Sequence, residues 1–350
     1  MKNISQIDRN FEVKTSLNIE NIRFYDLNDE RISLYGVFYE NGKYRRLPES
    51  VAKTVNDGVY NLHIHTAGGR IKFVTDSRFV AIKAVMPDIG KMPHFALTGS
   101  AGFDLYVGRK EEYYNSFVPP FGITDGYEGV IRFGTSEMRE ITMNFPLYSA
   151  VSALYIGLDE NARLKKSSGY KHEKPIVFYG SSITQGGCAS RPGNSYESRI
   201  SRELNSDYIN LGFSGSAKGE DTIAEYISGL DMSVFVYDYD HNAPTIEHLK
   251  NTHQKMFSTI RSKNPDLPIV ILSRPTYKLN EEEKERLAII TKTYTDAVET
   301  GDKNVFLIDG PMLMKYAKND GTVDGCHPND LGFFRMSEAI GRVVGYLLTK

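Results

Sequence analysis

Four short stretches of this chain carry side chains whose types and spacing suit nucleophilic attack on a carbonyl. The first is Gly180-Ser181-Ser182-Ile183-Thr184-Gln185-Gly186. A serine in a Gly-bearing turn can be presented as a nucleophile, although serine and glycine after a strand also build plain turns. The GxSxG elbow does not fit, because Thr184 stands where its last glycine belongs. The second stretch runs from Asn210 to Gly219 (Asn-Leu-Gly-Phe-Ser-Gly-Ser-Ala-Lys-Gly). Its glycines let backbone N–H groups approach a small anion, as an oxyanion hole requires. A Walker phosphate loop fits poorly, since no Gly-Lys-Ser/Thr follows at the right spacing. In the third, Tyr239-Asp240-His241-Asn242-Ala243-Pro244, the Asn242 amide either donates to the same oxyanion or caps the turn before Pro244. The fourth is Asp324-Gly325-Cys326-His327-Pro328-Asn329. A carboxylate three residues before a histidine can reach its Nδ1–H, fix the tautomer and leave Nε2 as a base. The same stretch also reads as a solvated loop with Asn329 as a helix cap.

The elements that must position these groups follow from periodicity. Up to about residue 160, runs such as RISLYGVFYENGKYRRL, AGFDLYVGR and REITMNFPL alternate apolar with polar residues between turn signals. Period two predicts antiparallel strands, hence a β-sandwich, jelly-roll-like, over residues 1–165. Asn41-Gly42 between two such runs predicts a hairpin. After Lys174 the pattern changes to short, wholly apolar runs (PIVFYG, DYINLGF, MSVFVYDYD, LPIVILSRP, VFLIDG) separated by segments of helical period. That alternation implies a parallel sheet covered on both faces, a three-layer αβα domain over residues 173–350. In such sheets ligands bind beyond the carboxyl ends of the strands, where the first three stretches fall; the fourth precedes the last helix.

Taken in order, GSSIT with Gly186, then Gly215, Asn242 and Asp324-x-x-His327 resemble the four blocks of the SGNH (GDSL) hydrolases. The resemblance implies a flavodoxin-like αβα fold, Ser182 as nucleophile, His327 as base and Asp324 as its orienting carboxylate. It also implies an oxyanion hole made by the Ser182 N–H, the Gly215 N–H and the Asn242 side chain, with no cofactor and no metal. Two positions depart from the usual blocks: Ser181 replaces the Asp of Gly-Asp-Ser, and Asp240-His241-Asn242-Ala243 replaces Gly-x-Asn-Asp. Neither removes a catalytic atom, and both point to a subgroup. GFDLY at Gly102–Tyr106, with NFPLYSAVSALYIGL, looks like the β-domain named for its GxDLY motif that precedes some bacterial members. Related two-domain enzymes include carbohydrate acetylesterases.

Composition narrows the partners. Mixed charge with a formal net of -2 and 40% hydrophobic residues gives no reason to expect nucleic acid or an anionic membrane. The first residues lack a continuous apolar run, so the chain reads as cytoplasmic. Two cysteines, Cys188 and Cys326, make no disulfide framework. His63 and His65, two apart in an expected strand, share a face, but no third ligand is evident and no metal is expected. Arg191, after the nucleophile loop, is expected to bind substrate or hold that loop. His241 is a second pocket candidate and a runner-up base. The chain has 22 Tyr and no Trp, so a sugar platform would use Tyr or Phe.

The expected function is a serine esterase acting on short acyl, chiefly acetyl, esters of sugars or oligosaccharides. The alternatives are a lysophospholipase, thioesterase or short-chain lipase, and a non-catalytic binding protein on the same scaffold. A homo-oligomer stays open.

Overall fold

The computed structural model describes residues 13–350, so the reading of the first twelve residues lies outside the described residues. The alternating runs form strands β1 (Ile22–Asp26), β2 (Ser33–Tyr35), β3 (Phe38–Glu40), β4 (Lys43–Arg45), β5 (Arg70–Thr75), β6 (Phe79–Val85) and β7 (Asp88–Ile89). They continue as β8 (Phe103–Val107), β9 (Glu112–Phe117), β10 (Gly126–Arg132), β11 (Arg139–Asn144), β12 (Ser149–Ala150), β13 (Ala153–Asp159) and β14 (Leu164–Lys166). Two antiparallel sheets result, ordered β1-β13-β6-β10 and β14-β5-β11-β8-β9, with β2 on β5. Between them Phe73, Ile82, Phe103, Leu105, Phe117, Ile141 and Ile156 share one buried core. Each such side chain contributes about 1.5–3 kcal/mol by leaving water. Asn41 and Gly42 have φ of 48° and 79°, and Glu40 pairs with Lys43 across this two-residue turn.

This half is not all strand; besides a one-turn helix at Leu97–Ser100, it holds a helical pair. Two helices, Glu49–Val55 and Asp57–Leu62, interrupt it where the alternation of Val59 to His65 predicts extended chain. The Asn56 side chain accepts the Val59 N–H at 2.9 Å and caps the second helix. Leu47, Ala52 and Val59 bury in a core shared with Leu211, Phe213 and Ala217 of the second half. Capping and burial of one helical face therefore outweigh the local pattern. The expected strand pair of histidines goes with it: His63 closes the helix and His65 sits in an isolated bridge to Ala150. Both rings are committed, His63 to Arg45 and the Tyr60 carbonyl, His65 to Asp88 and Gln185.

The wholly apolar runs form β15 (His172–Gly180), β16 (Ser206–Gly212), β17 (Val234–Asp238), β18 (Ile269–Leu272) and β19 (Val305–Ile308), all parallel, in the order β16-β15-β17-β18-β19. Side chains of β15 alternate between two cores. Val177 and Tyr179 pack with the helices Asp221–Ser228, Ile246–Lys263 and Glu281–Glu299. Ile176 and Phe178 pack with Tyr196–Leu204 and Asp330–Leu347 on the other face. This is the three-layer αβα arrangement expected from continuous apolar strands. The chain leaves β15 for neighbours on opposite sides, β16 and β17, so the crevice opens at the end of β15, beside Ser182. Among the described residues no helix is long and apolar enough to cross a membrane.

Candidate active site

β15 ends at Gly180, and the Ser181 hydroxyl accepts the Ile183 N–H at 3.2 Å, capping the one-turn helix Ser182–Gln185. Ser181 thus does the capping work open to an aspartate at that position. Gly186, at φ 95°, ends the turn in the left-handed region that favours glycine. Ser182 stands at the first helical position, where its N–H has no intrahelical acceptor. Its Oγ lies 2.9 Å from His327 Nε2.

On the other side of the ring, His327 Nδ1 lies 2.8 Å from Asp324 Oδ2. Asp324 Oδ1 accepts the N–H groups of His327 at 2.7 Å and Cys326 at 3.0 Å. Partial burial pushes the Asp324 carboxyl up, but these donors outweigh it and hold it well below the usual carboxylate range. A carboxylate that stays ionised fixes His327 with Nδ1 protonated and Nε2 free to accept from Ser182. Both readings of the fourth stretch coexist, since Asn329 Oδ1 accepts the Leu331 and Gly332 N–H groups and caps the last helix.

Beside Ser182 lies the loop after β16. The Ser214 N–H donates to Gln185 Oε1 at 3.0 Å and the Ser216 N–H to the Phe213 carbonyl at 2.9 Å. Between them the Gly215 N–H makes no backbone hydrogen bond among the described residues; Gly215 has φ 65° and open space around its Cα. Asn242 Nδ2 donates to the Phe213 carbonyl at 2.8 Å, bringing the amide to the same loop with its second N–H to spare. The loop itself is tied to the serine turn by the Phe213 N–H, which donates to the Gly180 carbonyl at 2.9 Å.

Two residues before Asn242 in the same one-turn helix, Asp240 accepts from the Arg274 N–H at 3.1 Å and from Arg286 Nη1 at 3.1 Å. Arg286 Nη2 also donates to the Ala243 carbonyl at 2.8 Å. Although burial opposes it, the Arg274 and Arg286 charges keep the Asp240 carboxyl below its ordinary value. His241 turns inward: its Nδ1 lies 3.8 Å from Cys326 Sγ, and its Nε2 is buried without a partner. Burial lowers its pKa to about 4, so it is neutral at pH 7. Among the described residues it makes no hydrogen bond to Ser182, whereas His327 Nε2 does.

The Arg191 guanidinium donates to Asp104 Oδ2 at 3.1 Å and to the Tyr106 hydroxyl, and lies 3.8 Å over the Tyr113 ring. Asp104 also accepts the Gly193 N–H at 2.7 Å and Asn144 Nδ2 at 2.8 Å. The aspartate and tyrosine of Gly102-Phe103-Asp104-Leu105-Tyr106 therefore grip the loop after the serine turn. Of the two roles expected for Arg191, its contacts with Asp104 and Tyr106 favour holding the loop.

The first half also supplies residues that the sequence did not single out. The Tyr148 hydroxyl donates to the Ser182 carbonyl at 3.0 Å. Phe95 packs edge-on against Tyr148 with ring centroids 4.7 Å apart and lies 6.1 Å from the His327 ring; His94 lies 5.4 Å from it. Gln185 bridges His65, the Leu147 carbonyl and the Ser214 N–H. Gln185 lay inside a recognised block, but nothing in local spacing links residues 94, 95 or 148 to the serine turn. Cys188 is buried, and burial, with Asp324 and Cys326 adding, pushes its thiol up to about 12.

Comparison with known proteins gives this geometry its family. The model of the GDSL-like lipase/acylhydrolase family matches residues 173–345, and that of the GxDLY domain, the N-terminus of SGNH-hydrolase-type esterases, matches residues 22–164. No curated protein sequence matches. A solved protein of Bacteroides ovatus ATCC 8483, described as a GDSL-like lipase, is 31% identical over 94% of this chain and 98% of its own, with a TM-score of 0.84. The salicylyl-acyltransferase SsfX3 from a tetracycline biosynthetic pathway shares the fold at 18% identity and a TM-score of 0.78, over 94% of this chain and 98% of its own. A family two carbohydrate esterase from Clostridium thermocellum, solved with cellohexaose, shares it at 14% identity and a TM-score of 0.63, over 91% of this chain and 99% of its own. The chain belongs to the GDSL-like lipase/acylhydrolase (SGNH) family, with a GxDLY domain ahead of its αβα domain.

Proposed function

We propose that this chain is a serine esterase that removes short acyl groups, acetyl foremost, from sugar or oligosaccharide esters. The observation that carries the reading is the continuous line Asp324 Oδ2–His327 Nδ1, His327 Nε2–Ser182 Oγ, at 2.8 and 2.9 Å, beside uncommitted N–H donors. In the proposed reaction, His327 Nε2 takes the Ser182 proton as Oγ attacks the ester carbonyl. The tetrahedral oxyanion is received by the Ser182 N–H, the Gly215 N–H and Asn242 Nδ2, donors already oriented before charge develops. His327 then gives its proton to the leaving alcohol, and the bond between the carbonyl carbon and the alcohol oxygen breaks. Water, deprotonated by the same imidazole, releases the acid and restores Ser182. Asp324 remains ionised throughout and stabilises the imidazolium. No step draws on a metal or cofactor.

The sugar ester is favoured because two-domain relatives in fold include carbohydrate esterases, one of them an acetyl xylan esterase from Butyrivibrio proteoclasticus. The test is hydrolysis of p-nitrophenyl acetate, butyrate and octanoate by wild type and Ser182→Ala, with acetate release from acetylated xylo- and manno-oligosaccharides alongside. Acetate preference that vanishes in the variant, with release from the sugars, supports the reading. Preference for octanoate would favour a lipase or thioesterase. Full activity in Ser182→Ala overturns the nucleophile assignment.

A further inference from the structure

Three ligand atoms suited to a borderline-soft cation converge in front of the candidate base. His94, Cys188 and His327 each offer one, all within 4.8 Å of one another. They come from three distant segments: the loop after β7, the turn after the serine helix, and the Asp324–His327 loop. The set is two imidazoles and one cysteine sulfur, which becomes a thiolate on metal binding, a donor combination that suits Zn2+ and related cations better than Mg2+ or Ca2+.

The geometry is close to what such an ion needs. Bonds of about 2.0–2.1 Å to nitrogen and about 2.3 Å to sulfur put tetrahedral ligand atoms roughly 3.3–3.8 Å apart. The three atoms must therefore draw together by about an ångström. His94 is exposed, so its ring can turn to supply that movement. His327 Nδ1 is already committed to Asp324 Oδ2 at 2.8 Å, which leaves Nε2 as the ligand atom. A carboxylate on the far nitrogen is the usual support of a metal-bound histidine, because it fixes the ring and raises its basicity. Cys188 is a free thiol.

We propose that His94, Cys188 and His327 form an inhibitory site for Zn2+ or a cation of like softness, with water as fourth ligand. The ion takes the Nε2 lone pair that otherwise accepts the Ser182 proton; the Cys188 thiol proton is released to solvent, and nothing is oxidised or reduced. Binding is reversible, and removal of the ion restores the base. The binding stands on the cluster alone, while the inhibition rests on the esterase reading above. The GxDLY half thereby acquires a regulatory role, since it contributes His94.

The experiment titrates Cd2+ and buffered Zn2+ into the full chain as wild type, His94→Ala, Cys188→Ser and Ser182→Ala. Cadmium–thiolate charge-transfer absorption reports the Cys188 bond independently of catalysis, and ester hydrolysis is normalised to each variant's own metal-free rate. Wild type should bind one equivalent with the thiolate band and lose activity in parallel, with recovery on adding EDTA. His94→Ala should weaken both effects by about tenfold or more, the scale on which loss of one metal-supporting group acts. Cys188→Ser should lack the band, and Ser182→Ala should keep it although inactive, so failure of the esterase reading leaves the site testable. His94→Ala changes an exposed residue and carries the test should Cys188→Ser fold poorly. A wild type without the thiolate band overturns the proposal. So does His94→Ala inhibited as strongly as wild type, which would put the metal on His327 alone.

Discussion

Asp104→Ala should loosen the join between the two halves and, through it, the serine turn. Asp104 is wholly buried and its two oxygens accept three hydrogen bonds, from Asn144, Gly193 and Arg191. Alanine leaves the Gly193 N–H and the Asn144 amide without acceptors, each worth about 1–3 kcal/mol when buried. It also strips the Arg191 charge of its carboxylate, and breaking a buried pair costs about 3–5 kcal/mol. Two facts bring the sum down. Arg191 keeps the Tyr106 hydroxyl and the Tyr113 ring. Burial also raises the Asp104 pKa despite Arg191, so part of the attraction is already offset by desolvation. A net loss of about 3 kcal/mol or more is expected, the low end of the cost of breaking a buried pair. Urea unfolding followed by tyrosine fluorescence, suited to a chain with 22 Tyr and no Trp, reads the midpoint. The hydrolysis rate on p-nitrophenyl acetate should fall as well, because the held loop continues through Ser190 and Asn194 to Asp330 at the start of the last helix. Adding Arg191→Ala to Asp104→Ala should cost far less than it does alone, since the two share one interaction. A midpoint unchanged in Asp104→Ala, or strict additivity with Arg191→Ala, would refute the clamp.

Two further predictions address the crevice and the layer beneath it. Asn242→Ala should lower kcat by about 10²–10³-fold, the effect of losing one oxyanion donor, and leave KM nearly unchanged; a pure KM effect would move Asn242 into ground-state binding. Asp238, beneath the serine turn, has its pKa raised to about 8 by burial, which outweighs the Thr184 hydroxyl, with the Asp240 charge adding to the rise. Unfolded, it titrates near about 4, so between about 4 and 8 the unfolded chain binds fewer protons and stability falls as pH rises. Asp238→Asn removes that dependence and should gain on wild type by on the order of a few kcal/mol between acid and mildly alkaline pH. Parallel stability curves for the two proteins would dismiss a buried, protonated Asp238.

Much of the αβα half was legible because its signals are local. Ile176 to Tyr179 are all apolar since β15 is covered on both faces, and its helices carry their faces and caps in their own residues. The Asp324-x-x-His327 pair is likewise local: three residues are enough to close a carboxylate onto Nδ1. The helices at Glu49–Leu62 were not legible, because Val59 to His65 fits a strand by alternation and only the Asn56 cap and burial against Leu211 and Phe213 decide otherwise.

By itself the sequence determined the family, the order of elements in the αβα half and which residue types stand at its strand ends, all properties of short windows. Tertiary structure alone decided what those ends meet. It turned Arg191 onto Asp104, 87 residues distant, and His241 toward Cys326. It also brought His94, Phe95 and Tyr148 from the β-half to the serine and histidine loops. The physical reason is that these contacts depend on how two separately patterned cores dock, and docking is set by shape and by buried charge pairs whose partners no local periodicity can match.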